Sequence, residues 1–320
     1  MVNQPDAESK VKVLDTVWKF VESYLESTNS KPGVSFELRS LQLKANAIEE
    51  LKHCINQGML EAVFATLAFT YFDVSQGSFG LWHQHLQGAR SLLDLHCSDK
   101  SQLQAACQSL PGLQHAITLL AWYDITGVIA SIRANKVCSR ALIFDDWHRD
   151  IMDNSFFDLV GCTRHTFDAL VKVIKSGVAT ARSIATFLEC LNDVLSINDS
   201  AQLVAESQHA NMGWKYICLL TTINHCFPQP VLRHIQDTLV SKICIIINSL
   251  IVGSTLYKHF ALPVFVAAMN ASNPEHLSII RGYWEYMAAG EFPLYPDALG
   301  ICESHWYELG ISSDQRRSSV

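Results

Sequence analysis

The chain has 320 residues, of which 24 are Lys or Arg and 31 are Asp or Glu, so its formal net charge is −7 with neutral His. Apolar residues make up 49% and charged residues only 17%, which excludes an intrinsically disordered chain because a large core can form. Gly (15) and Pro (9) are too scarce for a collagen-like or linker-like chain. A net anionic chain lacks the dense cationic stripe that displaces counterions from phosphate, so we expect no autonomous nucleic-acid binding.

The ten cysteines include no C-x-x-C pair, which removes the main signature of zinc-finger and thioredoxin-like sites. Most of them lie in apolar runs, so we predict reduced, buried thiols in a reducing compartment. The N-terminal residues MVNQPDAESK are too polar for a secretory signal. The longest apolar run, around 243–256, is interrupted by Asn248 and Ser249 and is shorter than the roughly 20 residues that span a bilayer. We therefore expect a soluble intracellular protein with no membrane association.

Apolar residues recur along most of the chain at spacings of three and four, the period of an amphipathic helix. This period predicts helices over 11–26, 36–56, 59–75, 82–96, 113–133, 165–176, 180–196, 200–226, 231–253, 254–270, 274–290 and 296–309. Residues 98–112 are polar with a Pro-Gly pair and predict a loop with about one turn of helix, and 139–165 predict an irregular connection.

Strand signals are weak, so the sequence predicts an all-α fold of about ten to thirteen helices. We expect a single compact domain over 11–310, between a flexible N-terminus over 1–10 and a polar tail over 311–320. The weakest joint is 136–165, which offers a boundary between two halves but does not resemble a flexible linker.

The sequence contains no phosphate-binding loop, nucleophile elbow, zinc-protease motif or kinase motif set. Two histidines occur in W-H-Q-H at 82–85, but His83 and His85 are about 200° apart around a helix. A metal pair on a helix prefers the i, i+4 spacing. We therefore expect no metal here, but one His turned inward with a hydrogen bond and the other in solvent.

The acidic cluster D-D-W-H-R-D at 145–150 contains His148. A His beside carboxylates can act as a general base, which makes His148 a candidate acid–base group. The same charge density is common in a solvated surface loop or at a helix N-cap, and both interpretations remain open.

A lone carboxylate, Asp124, lies in the apolar stretch A-W-Y-D-I at 121–125. Burying it uncompensated would be costly, so it should find a cation or an amide donor. Arg90 and Arg133 are plausible partners from the sequence. We expect either a satisfied core carboxylate or a ligand contact.

Several ordered motifs resemble the fungal-specific transcription factor domain. They are GLWHQHLQGARSLLDL (80–95) after ATLAFTYFDVSQG (65–77), then TLLAWYDITGVIAS (118–131), FFDLVGCTRHTFDALVKVI (156–174) and LPVFVAAMNASNPEHLSIIRGYWEYM (262–287). The resemblance covers roughly residues 55–310. It implies an all-α regulatory domain that usually follows a zinc binuclear-cluster DNA-binding module. That module needs six cysteines at C-x2-C-x6-C-type spacing, which this sequence does not contain, so the resemblance extends to the regulatory domain only.

Two functions are compatible with this resemblance. The first is a transcription-regulator-like protein in the nucleus or cytoplasm. It would act through a DNA-binding transcription factor or a homo- or heterodimer partner, with control of a fungal secondary-metabolite pathway and a small-molecule effector as further expectations. The second is a scaffold repurposed as a small-molecule-binding protein or a cofactor-free isomerase, cyclase or hydrolase. Its pocket would be lined by Trp82, Trp122 and Tyr123, with His85, Asp124 and His148 as candidate acid–base groups. We favour the first function, which needs no enzyme activity, cofactor or metal.

Overall fold

The computed structural model describes residues 19, 34–76, 82–133, 141–178, 184–196, 205–226, 230–289, 295 and 297–311. Fifteen α-helices and one 3₁₀ turn form the regular structure of these ranges, and no β-strand occurs within them. The predicted all-α fold is confirmed, with slightly more helices than expected. The predicted N-terminus (1–10), the helix over 11–26 apart from Lys19, and nearly all of the tail lie outside the described residues.

The helices follow one another along the chain with short connections. They are α1 (Val34–Asn56), α2 (Ala62–Gln76), α3 (His83–His96), α4 (Lys100–Ser109), α5 (Leu113–Arg133), α6 (Asp146–Arg149), α7 (Asn154–Val160), α8 (Arg164–Val178), α9 (Ile184–Ser196), α10 (Ala205–Cys226), α11 (Arg233–Ser249), α12 (Thr255–His259), α13 (Ala261–Ala268), α14 (Pro274–Ala289) and α15 (Ala298–Glu308), with the 3₁₀ turn at Pro230–Leu232.

The predicted loop over 98–112 is wrong, because α4 occupies most of it. Asp99 caps this helix by accepting the backbone N–H of Gln102 at 2.9 Å. In return, the Gln102 side chain accepts the backbone N–H of Ser98 at 3.0 Å. These contacts satisfy donors that a helix start leaves open, so this polar segment is helical although Leu103 is its one buried residue.

Two other stretches differ from their predictions. Residues 254–270 form α12 and α13 instead of one helix, with a break at Phe260. Pro263 explains the break, because proline lacks an N–H and its ring clashes with the carbonyl four residues earlier, which belongs to His259. The expected irregular connection over 139–165 contains the short helices α6 and α7.

The chain divides into two compact units where the sequence led us to expect one domain. Unit 1 comprises Met1–Gly127, Ile143–Asp153 and Ala288–Tyr295, and unit 2 comprises Val128–Leu142, Asn154–Met287 and Pro296–Val320. Within residues 136–165 the chain passes from one unit to the other twice. The domain limits at 11 and 310 stay predictions.

Unit 1 is built around the pair α2 and α3, with α1 packed on α2 and α4 on α3 and α6. Its largest fully buried side chains include Met59, Trp82, Leu86 and Phe144. In α2 nearly every face is apolar, as its sequence predicts for an interior helix.

Unit 2 is built around α10, which packs against α8, α9, α11 and α13. All eight residues of α13 are buried. A Cβ on Gly213 of α10 would lie 2.1 Å from the Phe260 ring. The ring can therefore pack here only because residue 213 has no side chain.

The described cysteines are free thiols, and seven of the eight are buried while Cys107 is partly buried. Burial raises the pKa of Cys107 to about 11 and that of Cys244 to about 12, which keeps both protonated at neutral pH. The prediction of buried thiols is confirmed for these residues.

Candidate functional site

The middle of α5 carries the sequence-predicted residues Trp122, Tyr123 and Asp124, and all three are buried. Apolar residues surround them in the sequence, so this helix is buried. Asp124, its only carboxylate, is therefore buried in the core of unit 1. Its partners therefore decide whether it is available for chemistry.

Asp124 is bonded to the backbone of a later segment of the chain. Its two carboxylate oxygens accept the N–H of Ile143 at 3.1 and 3.0 Å, and Oδ2 also accepts the N–H of Phe144 at 3.0 Å. The expectation of a satisfied core carboxylate with amide donors is confirmed, and the donors are backbone amides.

The environment of Asp124 sets its protonation. Burial raises its pKa from the usual 3.8 to about 6, although the amides of Phe144 and Ile143 and the charges of Arg149 and Arg90 act to lower it. At pH 7 the group is therefore mostly ionised, which suits an acceptor of amide hydrogen bonds.

Arg90 reaches the same segment without bonding Asp124 directly. Its Nε donates to both oxygens of Asp94 at 2.7 and 2.9 Å, while its other nitrogens donate to the Ile143 carbonyl at 2.8 Å and to Asp145 at 2.7 Å. The prediction that Arg90 pairs with Asp124 is thus replaced by a bridge from α3 to residues 143–145. The side chain of Arg133 lies outside the described residues.

His148 is fully buried in unit 1. Its Nδ1 accepts the backbone N–H of Asp145 at 3.3 Å, and its ring packs against Trp147 at 3.6 Å and against the edge of Phe144 at 5.5 Å. Burial lowers its pKa to about 4, so the ring is neutral at pH 7 and carries its proton on Nε2. Nε2 has no hydrogen-bond partner among the described residues.

The acidic cluster at 145–150 is a helix N-terminus, one of the two interpretations left open by the sequence. Asp145 is the N-cap of α6 and forms a capping box with His148. Arg149 is buried, donates to the carbonyl of Phe144 and pairs with Asp146 at 2.8 Å. The charged residues of this cluster thus fix the local chain.

His83 and His85 diverge, as the sequence predicts. His85 lies 3.0 Å from the carboxylate of Asp73 on α2 and stacks on Phe69 with ring centroids 5.7 Å apart. His83 lies along its own helix, 3.4 Å from the Gln87 side chain. Among the described residues, no group of three or more His, Cys, Asp or Glu could hold a metal ion.

Trp82 and Tyr123 are brought together. The indole N–H of Trp82 donates to the Tyr123 carbonyl at 2.9 Å, and the two rings meet edge to face at 5.9 Å. Gly127 lies one turn further along α5, where a Cβ would be 2.7 Å from the Trp82 nitrogen. The absence of a side chain at Gly127 therefore allows the indole to reach the backbone of α5.

Residues 143–153, called here the 143–153 segment, were missed as a unit by sequence reasoning. Further contacts fix it: Gln114 donates to the Ile151 carbonyl at 2.9 Å, the Thr118 hydroxyl accepts the N–H of Asp153 at 3.1 Å, and Lys100 pairs with Asp150 at 2.9 Å. One sequence signal could have indicated this segment. A buried Asp124 needs hydrogen-bond donors, and these had to come from another part of the chain.

The structure thus brings together only part of the pocket predicted from Trp82, Trp122, Tyr123, His85 and Asp124. Trp82 contacts Tyr123, whereas His85 and Asp124 each bond a different group. Its role as a ligand site stays a prediction.

A family model described as fungal specific transcription factor domain matches residues 23–188. The chain belongs to this family. The matched range contains α1 to α8 and includes Asp124 and the 143–153 segment, but it ends before 262–287, where the sequence resemblance continues as a prediction. No curated protein and no solved structure matched the chain. In the part of the chain that the structure describes, no helix is long and apolar enough to cross a bilayer.

Proposed function

We propose that this chain regulates transcription through protein partners, in the control of a fungal biosynthetic pathway. Membership of the fungal specific transcription factor domain family carries the proposal and supports a regulator-like role in the nucleus. The net charge of −7 supports action through a partner, because an anionic surface is repelled by the phosphate backbone.

The contacts of Asp124 and His148, two of the three acid–base candidates, favour regulation over catalysis. The Asp124 carboxylate is occupied by two backbone amides, and the Nδ1 of His148 is occupied by a third. A general base needs a free lone pair within reach of the substrate proton. Asp124 and His148 are both buried and already bonded to the backbone, which keeps them out of reach of a substrate proton, so we place the regulatory function ahead of the cofactor-free enzyme.

A tethered reporter tests the proposal directly. The chain is fused to an unrelated sequence-specific DNA-binding domain and placed upstream of a reporter gene in a fungal host. We expect the fusion to change reporter output at least severalfold, while the purified unfused chain shifts no DNA from the pathway promoters. Unchanged output from a well-expressed fusion would contradict the proposal.

Two variants test whether the reporter effect depends on the folded unit 1. Asp124→Ala removes the acceptor that fixes residues 143–144 and should abolish the reporter effect. Glu285→Gln changes an exposed side chain on α14 and should leave it intact. Equal output from both variants would show that reporter activity does not depend on the folded unit 1.

A further inference from the structure

Helix α11 has apolar residues on two faces, and only one of these faces is covered within the chain. The inner face packs against α10 and α13 and comprises Leu239, Val240, Ile243, Cys244, Ile246 and Ile247. On the outer face Ile235 is 47% exposed and Ile245 is 62% exposed. A helix that is apolar all round normally lies in the interior of a protein. The outer face of α11 is therefore an apolar surface without a partner.

Exposed apolar side chains are concentrated at this helix and at its two ends. Of the fifteen large hydrophobic side chains that are exposed in the described part of the chain, five lie in this short stretch: Val231, Ile235, Ile245, Ile251 and Val252. Single exposed apolar residues are normal on a protein surface, whereas a concentration of them marks an interaction site.

The outward residues of α11 have the spacing through which one helix packs against another. Ile235, Thr238, Lys242, Ile245 and Ser249, called here the α11 stripe, follow one another at intervals of three, four, three and four residues. This is the a/d repeat of interlocking helices. The hydroxyls of Thr238 and Ser249 donate to carbonyls of their own helix at 2.9 and 2.8 Å, so each keeps this bond when the stripe is covered.

Lys242 lies near the middle of the stripe and decides what can cover it. It is exposed and has no ion pair among the described residues, whereas Arg233 and Asp237 of the same helix pair with each other at 3.5 Å. In a pair of α11 helices from two copies of the chain, the two Lys242 side chains would lie close together in either orientation, because Lys242 is next to the midpoint of the helix. Like charges facing each other at an interface are unfavourable, and a carboxylate is favourable there.

We propose that the α11 stripe binds an amphipathic helix of a partner protein that carries a carboxylate opposite Lys242. Apolar side chains of that helix would cover Ile235 and Ile245, which are ten residues and so about 15 Å apart along α11. The ion pair with Lys242, between them, would set the register. The proposal rests on the proposed action through protein partners and names the kind of segment that such a partner presents.

The test measures binding of a defined peptide to the purified full chain. The probe is a fluorescently labelled helical peptide of three heptads, with Leu at the a and d positions and Glu at the central a position. A matched peptide carries Lys in place of this Glu. We expect fluorescence anisotropy to show saturable binding of the Glu peptide, at least about fivefold tighter than binding of the Lys peptide.

A charge swap tests the assigned contact. Lys242→Glu should weaken binding of the Glu peptide at least about fivefold and should strengthen binding of the Lys peptide, a gain that an unfolded variant could not give. Ile245→Ser should weaken binding of both peptides, because it removes apolar area from the stripe. Two exposed residues of α1 provide the matched controls, and Lys52→Glu and Ile55→Ser should leave both affinities unchanged.

Four results would overturn the proposal. They are no saturable binding of the Glu peptide, equal affinity for the two peptides, equal effects of Lys242→Glu and Lys52→Glu, and self-association of the chain that Ile245→Ser abolishes, which would assign the stripe to a second copy. The tethered reporter gives a separate answer. A silent fusion together with the expected peptide binding would contradict only the proposed function, and an active fusion without peptide binding would contradict only the role of the α11 stripe.

Discussion

The Oδ2 atom of Asp124 lies 3.0 Å from the backbone nitrogen of Phe144, so the middle of α5 is bonded to a segment twenty residues further along the chain. Asp124 is buried away from bulk solvent, and the backbone amides supply the hydrogen bonds that a buried carboxylate needs. The arrangement gives the lone charge of α5 a structural role, and its consequences can be measured.

Replacing Asp124 by Asn should destabilise unit 1. An Asn oxygen in the Oδ2 position still accepts both N–H groups, but it carries no full charge, and the Asn NH2 group takes the Oδ1 position and faces the Ile143 N–H donor to donor. We expect the weaker bonds and this buried donor pair to cost about 1–3 kcal/mol. Hydrogen exchange should show faster exchange of these two amides, and urea unfolding should shift to lower concentration. The exposed change Glu285→Gln serves as the control. Unaltered exchange at both amides would contradict the assigned bonds.

The pH dependence of stability should differ between variants of Asp124 and His148. The pKa of Asp124 is raised by burial to about 6, so its contribution to the free energy of unfolding grows as the pH falls from 6 toward 3.8. The pKa of His148 is lowered by burial to about 4, so its contribution is present above 6.5 and is lost as the pH falls toward 4. In the wild type the two effects oppose each other.

Urea titrations at pH 7 and pH 5 check this opposition. Asp124→Asn removes the group whose protonation stabilises the fold at low pH, so its free energy of unfolding should fall more steeply from pH 7 to pH 5 than that of the wild type. His148→Gln removes the group whose protonation destabilises the fold, so its free energy of unfolding should fall less than that of the wild type. His259, whose pKa burial also lowers to about 4, is present in all three proteins and cancels in the comparison. Parallel pH profiles for the three proteins would refute the assignment.

Gly127→Ala should destabilise unit 1 through overpacking. The added Cβ would lie 2.7 Å from Nε1 and 3.1 Å from Cε2 of Trp82, whose indole is buried and bonded to the Tyr123 carbonyl. We expect a loss of about 1–3 kcal/mol and a shift in tryptophan fluorescence. Gly282→Ala, in α14 with nothing within 4 Å, should instead be neutral or stabilise by about 0.5–1 kcal/mol. Equal effects of the two changes would argue against the close approach of Trp82 to α5.

Gly213→Ala should destabilise unit 2, because the new methyl would lie 2.1 and 2.5 Å from two carbons of the Phe260 ring. Adding Phe260→Leu shortens the side chain that the methyl meets. The double variant should therefore be less destabilised than the sum of the single variants, a coupling that thermal unfolding can measure. Gly300→Ala, in α15 with nothing within 4 Å, is the matched control. Strict additivity of Gly213→Ala and Phe260→Leu would exclude the predicted clash.

Periodicity was sufficient for the long helices because their buried faces recur at a fixed spacing. It failed for α4, where a single buried Leu103 gives no stripe and the helix depends on Asp99 and Gln102 instead. Those two residues have the D-x-x-Q spacing of a capping box, so the signal was present in the sequence.

The candidate site was predictable only in part. The apolar neighbours of Asp124 showed that it would be buried and would need donors, but not that the donors would be the amides of Ile143 and Phe144. The residue pattern does not show which backbone N–H groups will act as donors, because every residue except proline carries one. The left-handed backbone conformation of Tyr295, with a φ of 53°, was likewise not predictable, because tyrosine has no preference for positive φ.

Transcript levels after gene deletion test the central claim, regulation of transcription, most directly. RNA is sequenced from a fungal strain that carries the gene, from a strain in which it is deleted, and from the deletion strain with the gene restored. We expect a coherent set of clustered biosynthetic genes to change in the deletion strain and to recover on restoration. Unchanged transcripts across all such clusters, under conditions in which the gene is expressed, would contradict the claim.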